Sequence, residues 1–209
     1  STIFGDTPAD DTHQFTGSLF ITGSRIDLDD GKNNVSIGKS AGAGITTGTG
    51  NTIIGSLAGD TMDTNTDNTL IGHSAGGGTL ANANKLVAIG RQALVEDLTT
   101  GADGTIAIGY QALNALTLGG GNLAIGYQAM DAQTTGGNNI AIGYQAMGDV
   151  AAEPAGTNNT FMGYQAGGGT WQDSTIRENV GIGNYTLAGA LNSAQYNTAV
   201  GYKAGQDMT

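Results

Sequence analysis

The side chains that could do chemistry are few and badly placed for it. The only histidines, His13 and His73, stand sixty residues apart, and no His-x-x-x-His pair occurs. A metal or triad site needs a second His, a Cys or an Asp converging on such a residue, and the chain has no Cys. Glycoside cleavage needs paired carboxylates. The glutamates are only Glu96, Glu153 and Glu178, scattered among connecting loops. Two acidic stretches, Asp27–Gly31 and the loop of Asp60, Asp63 and Asp67, carry the oxygen ligands that Ca²⁺ prefers, yet neither has EF-hand spacing. Solvated acidic loops are the simpler reading. The expectation is a protein that is not an enzyme, with no catalytic residue, no metal and no cofactor.

Aromatic side chains offer binding instead. Trp171 is the only Trp and sits in the Gly-rich stretch 167–178. Loops carry binding function more often than repeated strands do, so Trp171, with Tyr185 and Tyr196, is the candidate receptor contact. A second set, Tyr110, Tyr127, Tyr144, Tyr164 and Tyr202, recurs at one repeat position. Recurrence favours stacking of aromatics from coil to coil over a receptor strip.

What positions these side chains is a repeat. A Gly preceded by Ile, Val or Met recurs ten times, at Gly38, Gly55, Gly72, Gly90, Gly109, Gly126, Gly143, Gly163, Gly183 and Gly201, 17–20 residues apart. Counted from this anchor, position −4 is Asn in eight copies, −1 is Ile in eight, and +3 is Ala in nine. Tyr falls at +1. Positions −3 and −1 are mostly Val, Ile, Leu or Thr, and −2 and 0 are mostly Ala and Gly. Alternation places the two sets on opposite faces of a short strand. A unit this short cannot fold alone and must bury its Ile against the units above and below.

The predicted fold is all-β: a parallel β-solenoid (β-roll) of about ten coils over residues 34–209, preceded by a strand-rich neck over 1–33. Strands stacked at their usual spacing make a rod of roughly 50 Å. The Asn column predicts a ladder of side-chain amides along the stack. A second short strand is expected after the anchor Gly, in the Gln-Ala-Leu/Met segment, and short helical turns are allowed at Ala115–Leu118 and Leu187–Leu191. The bulky face is expected to fill the coil. The bare Ala/Gly face is then left to meet other chains, as small residues in strands usually do, and three chains around an axis is the preferred assembly. None of the 18 Asp and Glu residues falls between −4 and +4 of any repeat, as stacking requires, since a repeated acid would lie beside its own copies.

Charge narrows the partners. The formal net charge is −11, with only seven Lys and Arg, so no basic face exists for a phosphate backbone and anionic membranes repel the chain. No apolar run is long enough to span a bilayer. No nucleic-acid partner and no membrane insertion are expected.

The Asn-x-Ala-Ile-Gly units at Asn122–Gly126 and Asn139–Gly143 resemble the head repeats of trimeric autotransporter adhesins. The Ala-Ile-Gly-Tyr-Gln-Ala units are similar to repeats of bacteriophage tail fibres, as is the segment His13–Ser24 to the strands that precede such repeats. The adhesin repeats are typically shorter, and the chain shows no coiled-coil stalk, anchor barrel or intramolecular chaperone, which favours the fibre. The resemblance implies a structural segment of a virion tail fibre or spike, a homotrimer joined to other fibre proteins and meeting a host glycan or protein. The alternative is a bacterial cell-surface adhesin head. A flat ice-binding solenoid ranks last, because Thr recurs at −3 only at Thr52, Thr69, Thr160 and Thr198.

Overall fold

The computed structural model describes residues 31–80, 82–98, 101–148, 156–169, 176–189 and 194–207. The expected neck therefore lies outside the described residues except for Gly31–Asn33. Each repeat contributes one three-residue strand: β1 (Val35–Ile37), β2 (Thr52–Ile54), β3 (Thr69–Ile71), β4 (Val87–Ile89), β5 (Ile106–Ile108), β6 (Leu123–Ile125), β7 (Ile140–Ile142), β8 (Thr160–Met162), β9 (Val180–Ile182) and β10 (Thr198–Val200). They form one ten-stranded parallel sheet in chain order. Pairing never slips: −3 meets −3, −2 meets −2 and −1 meets −1, as in Ile106↔Leu123, Ala107↔Ala124 and Ile108↔Ile125. The chain is a parallel β-solenoid. The described residues contain no helix, and Ala115–Leu118 is turn and irregular backbone. Of Leu187–Leu191, residues 187–189 are likewise not helical, and the last two lie outside the described residues.

The expected second strand is absent. After the anchor Gly the chain turns instead, and the Ala at +3 donates its N–H to the anchor carbonyl, as Ala129 does to Gly126 at 3.4 Å. Left-handed backbone makes the corners. Every residue at +2 has φ between 47° and 58°, from Ser40 through Gln128 to Lys203, and every residue at +4 and −5 is also positive. A left-handed Gln, Met or Tyr is costly. Bonds between coils offset that cost at each corner: Gln128 N–H donates to Tyr110 O at 2.8 Å and Met130 N–H to Ala146 O at 3.0 Å. The anchor itself tolerates nothing but Gly. At Gly38, with φ 134°, a Cβ would stand 2.6 Å from the carbonyl oxygen of Gly55, so any side chain would drive two coils apart.

The faces of the strand are the reverse of those expected. Position −2 points inward: Ile53, Leu70, Ala88, Ala107, Ala124, Ala141 and Phe161 are fully buried, while the flanking −3 and −1 residues are half-buried or exposed. The small residue faces in because +4 also faces in and shares the same space. Where −2 is Ile53, Leu70 or Phe161, +4 is Gly59, Gly76 or Gly167. Where −2 is Ala88, Ala107, Ala124 or Ala141, +4 is the buried Leu94, Leu113, Met130 or Met147. Gly181 pairs with Leu187 in the same way. The fit is close, since a Cβ on Gly167 would stand 2.7 Å from Phe161 Cδ1 and one on Gly76 2.9 Å from Leu70 Cδ1. The Ala column at +3 and a third group, Met62, Leu80, Leu98 and Leu116, complete the interior. Burying one such Leu or Ile contributes about 1.5–3 kcal/mol, so a coil holds only a few kcal/mol of core and depends on its neighbours.

The amide ladder forms as predicted. Asn51 donates both its backbone N–H and its Nδ2 to Asn34 Oδ1 at 2.9 and 3.0 Å, and Asn68 does the same to Asn51. The series resumes from Asn139, which bonds to Asn122, through Asn159 and Asn179 to Asn197. It breaks where −4 is Leu86 and Thr105, and Thr105 Oγ1 is buried with no partner. The end coils are looser. Only β2–β9 bury their middle residue, while β1 and β10 leave theirs at the surface or half-buried. Ten repeats thus give ten strands and about eight enclosed coils.

Candidate attachment surface

Two surfaces of the rod are regular enough to bind something. One begins at +1, just past the anchor, where left-handed backbone at +2 turns the chain and leaves the +1 side chain outside. Tyr110, Tyr127, Tyr144 and Tyr164 stack face to face there, with centroids 5.1 Å apart at each step and planes inclined by 16°, 5° and 5°. The rings of Tyr127, Tyr144 and Tyr164 are therefore nearly parallel. Stacking covers the ring faces, so the expected coil-to-coil role is the one observed, while ring edges and hydroxyls stay out. Tyr127, Tyr144 and Tyr164 are 40–43% exposed. Beside them the +2 amides form a second ladder: Gln111 donates to Gln92, Gln128 to Gln111, Gln145 to Gln128 and Gln165 to Gln145, at 3.1–3.4 Å.

Of the candidate receptor contacts, Tyr185 joins this column. Its ring lies edge-on to Tyr164 at 5.2 Å and to Tyr202 at 6.1 Å. Desolvation, then the neighbouring Tyr164 phenol, pushes its hydroxyl above the usual range. Cations cap the column: Arg91 lies 6.0 Å over Tyr110, and Lys203 lies 5.5 Å over Tyr202. Tyr196 is 66% exposed but precedes β10 at −5, at the other end of the strand from Tyr185. Trp171 lies outside the described residues. The three are therefore not gathered into one patch by the described structure.

The acidic loop does not converge either. Asp63 accepts from the Thr46 hydroxyl, Asp67 turns the chain at φ 59°, and Asp60 Oδ1 is buried with no partner. Among the described residues no three His, Cys, Asp or Glu side chains come close enough to hold a metal ion. Asp27–Asp30, His13 and Glu153 lie outside the described residues. His73 is exposed at +1 and meets the Ser74 hydroxyl at 3.1 Å. Glu96 and Glu178 sit on separate coils.

The second surface is the outward sheet face, which sequence reasoning placed inside. Its −1 column runs Ile37, Ile54, Ile71, Ile89, Ile108, Ile125, Ile142, Met162, Ile182 and Val200. The parallel −3 column runs from Val35 to Thr198. It carries no charge and is half-buried to exposed throughout, reaching 48% at Ile37 at one end and 67% at Val200 at the other. Thr52, Thr69, Thr160 and Thr198 lie on it too, but Val87, Ile106, Leu123, Ile140 and Val180 interrupt them, so no continuous Thr strip forms. The reciprocal sizes at −2 and +4 were the signal that could have revealed this face. No helix of the described residues is long and apolar enough to cross a membrane.

The chain matches no family model, no curated protein and no solved structure.

Proposed function

We propose that the chain is a stiff structural segment of a viral tail fibre or spike, self-associated through its outward sheet face and holding an attachment surface away from the particle. The observation that carries this is the uncharged Ile/Val/Leu/Thr face, continuous over ten strands. Three-residue strands at the usual spacing give it about 450 Å², the size of the largest patch on a typical monomer, which is often functional, and only the hydroxyls of Thr52, Thr69, Thr160 and Thr198 interrupt it. The partner is a homotrimer's other copies. The bare Ala/Gly face, first assigned that role, is spent on the interior. The in-register ladder supports stiffness, since every corner of every coil is bonded to the next. The resemblance of the Ala-Ile-Gly-Tyr-Gln-Ala units to phage fibre repeats supports the setting: a virion, with other fibre proteins and a host glycan or protein as partners. Several copies on one axis raise avidity without strong single contacts.

Light scattering on the purified chain tests the assembly. The expected mass is three times 20.9 kDa, and Ile125→Glu, on the outward face, is expected to release single chains that keep their β-sheet circular dichroism. A wild-type chain of 20.9 kDa at micromolar concentration overturns it. Attachment is tested by pelleting labelled protein with candidate host cells, where retention in the supernatant with every cell type speaks against the role.

A further inference from the structure

The geometry points to the Tyr/Gln column as a binding site for a straight, neutral β-1,4-linked polysaccharide lying along the rod; this deepens the attachment reading and rests on it. Over β5–β8 each coil offers one outward phenol and one amide, Tyr110 with Gln111, Tyr127 with Gln128, Tyr144 with Gln145 and Tyr164 with Gln165. The amide ladder uses one N–H of each Gln, which leaves a second N–H per coil. The phenols are held by their stack. Little side-chain freedom remains to be lost on binding, so the donors are set out in advance.

Period, straightness and charge then select the ligand. The phenol rings that carry the hydroxyls repeat every 5.1 Å, and those of Tyr127, Tyr144 and Tyr164 lie within 5° of parallel at each step. An extended β-1,4-linked chain of pyranoses is straight and advances by nearly the same interval per sugar with alternate sugars turned over, so over a few units each coil faces one sugar and every second coil faces the same edge. Coiled α-linked glucans do not keep that register. Because the ring faces are covered, the sugars are met edge-on through hydroxyl, ether and acetamido oxygens rather than by stacking on the aromatics. The +1 column reads Lys39, Ser56, His73, Arg91, Tyr110, Tyr127, Tyr144, Tyr164, Asn184 and Tyr202. All ten carry a hydrogen-bond donor and none is a carboxylate. The four central members are uncharged, which fits a neutral polymer.

The test uses the full chain and the triple variant Tyr127→Phe, Tyr144→Phe, Tyr164→Phe, which keeps the stacked rings and removes the hydroxyls. Both are pelleted with microcrystalline cellulose, with chitin and with granular starch, and titrated with cello- and chito-oligosaccharides of two to six units. The expected result is binding to cellulose or chitin but not starch, affinity rising with each added sugar, and about tenfold or greater weakening in the triple variant with its melting curve unchanged. Equal binding by the variant, equal binding to starch, or no binding to either β-linked polymer overturns the assignment. Cell pelleting run beside it separates the readings. Protein that holds to cells but to neither polymer removes the polysaccharide alone, and protein that holds to neither removes both.

Discussion

Coils β2, β3 and β8 fill their interior from the strand, and coils β4–β7 fill theirs from the turn. In the first group Ile53, Leu70 and Phe161 reach in and the turn carries Gly59, Gly76 and Gly167. In the second the strand carries Ala and the turn supplies Leu94, Leu113, Met130 and Met147. Each of these coils places one large side chain in the shared space, from the strand in the first group and from the turn in the second. What the stack conserves is therefore a sum of two side chains, since interiors this dense tolerate neither void nor excess.

The largest effect should come from emptying a strand-filled coil. Phe161→Ala leaves a hole that Gly167 cannot fill, and a loss of about 3–5 kcal/mol is expected, read from the urea midpoint at constant slope. Overfilling a turn-filled coil should cost less. Ala124→Leu forces a second large group beside the buried Met130, and about 1–3 kcal/mol is expected. The third experiment sharpens the comparison by converting one coil type to the other. Ala124→Leu with Met130→Gly should recover at least about 1 kcal/mol of the single-variant loss, as contacting residues couple by that order. Strictly additive losses would show that the two positions do not share one space. The smallest effect lies outside the comparison, at the broken ladder. Thr105→Asn gives the Asn122 backbone N–H the side-chain acceptor that its ladder counterparts have and removes a buried orphan hydroxyl, for a gain of roughly 1 kcal/mol, read as a small rise in melting temperature.

Much of this architecture was legible in the sequence, and the reason is repetition. The anchor Gly ten times over, the Asn at −4 in eight copies and the β-branched pairs in most report the strand, the ladder and the parallel register, so each accident of one copy cancels in the next. The stacked Tyr column follows from the same logic. The direction of the strand faces was not legible from alternation, because a period of two separates the faces without saying which is inside. The corners were hidden for another reason. Left-handed backbone is usually announced by Gly or Asn, whereas here Gln92, Gln111, Met130 and Tyr185 adopt it under the pull of bonds from adjacent coils. The assembly inherits the face error: the expectation of association stands as a proposal, but on Ile108 and Ile125 rather than on Ala107 and Ala124.

The unslipped pairing from β1 to β10 has a genetic corollary. A duplication or loss of one whole unit between anchors moves every later strand by one place and leaves each strand and corner with an equivalent backbone partner. Reach then changes in steps of one strand spacing, about 4.8 Å, within the same strand register. The molecule behaves as a ruler whose graduations can be added or struck out by recombination within its own coding repeat.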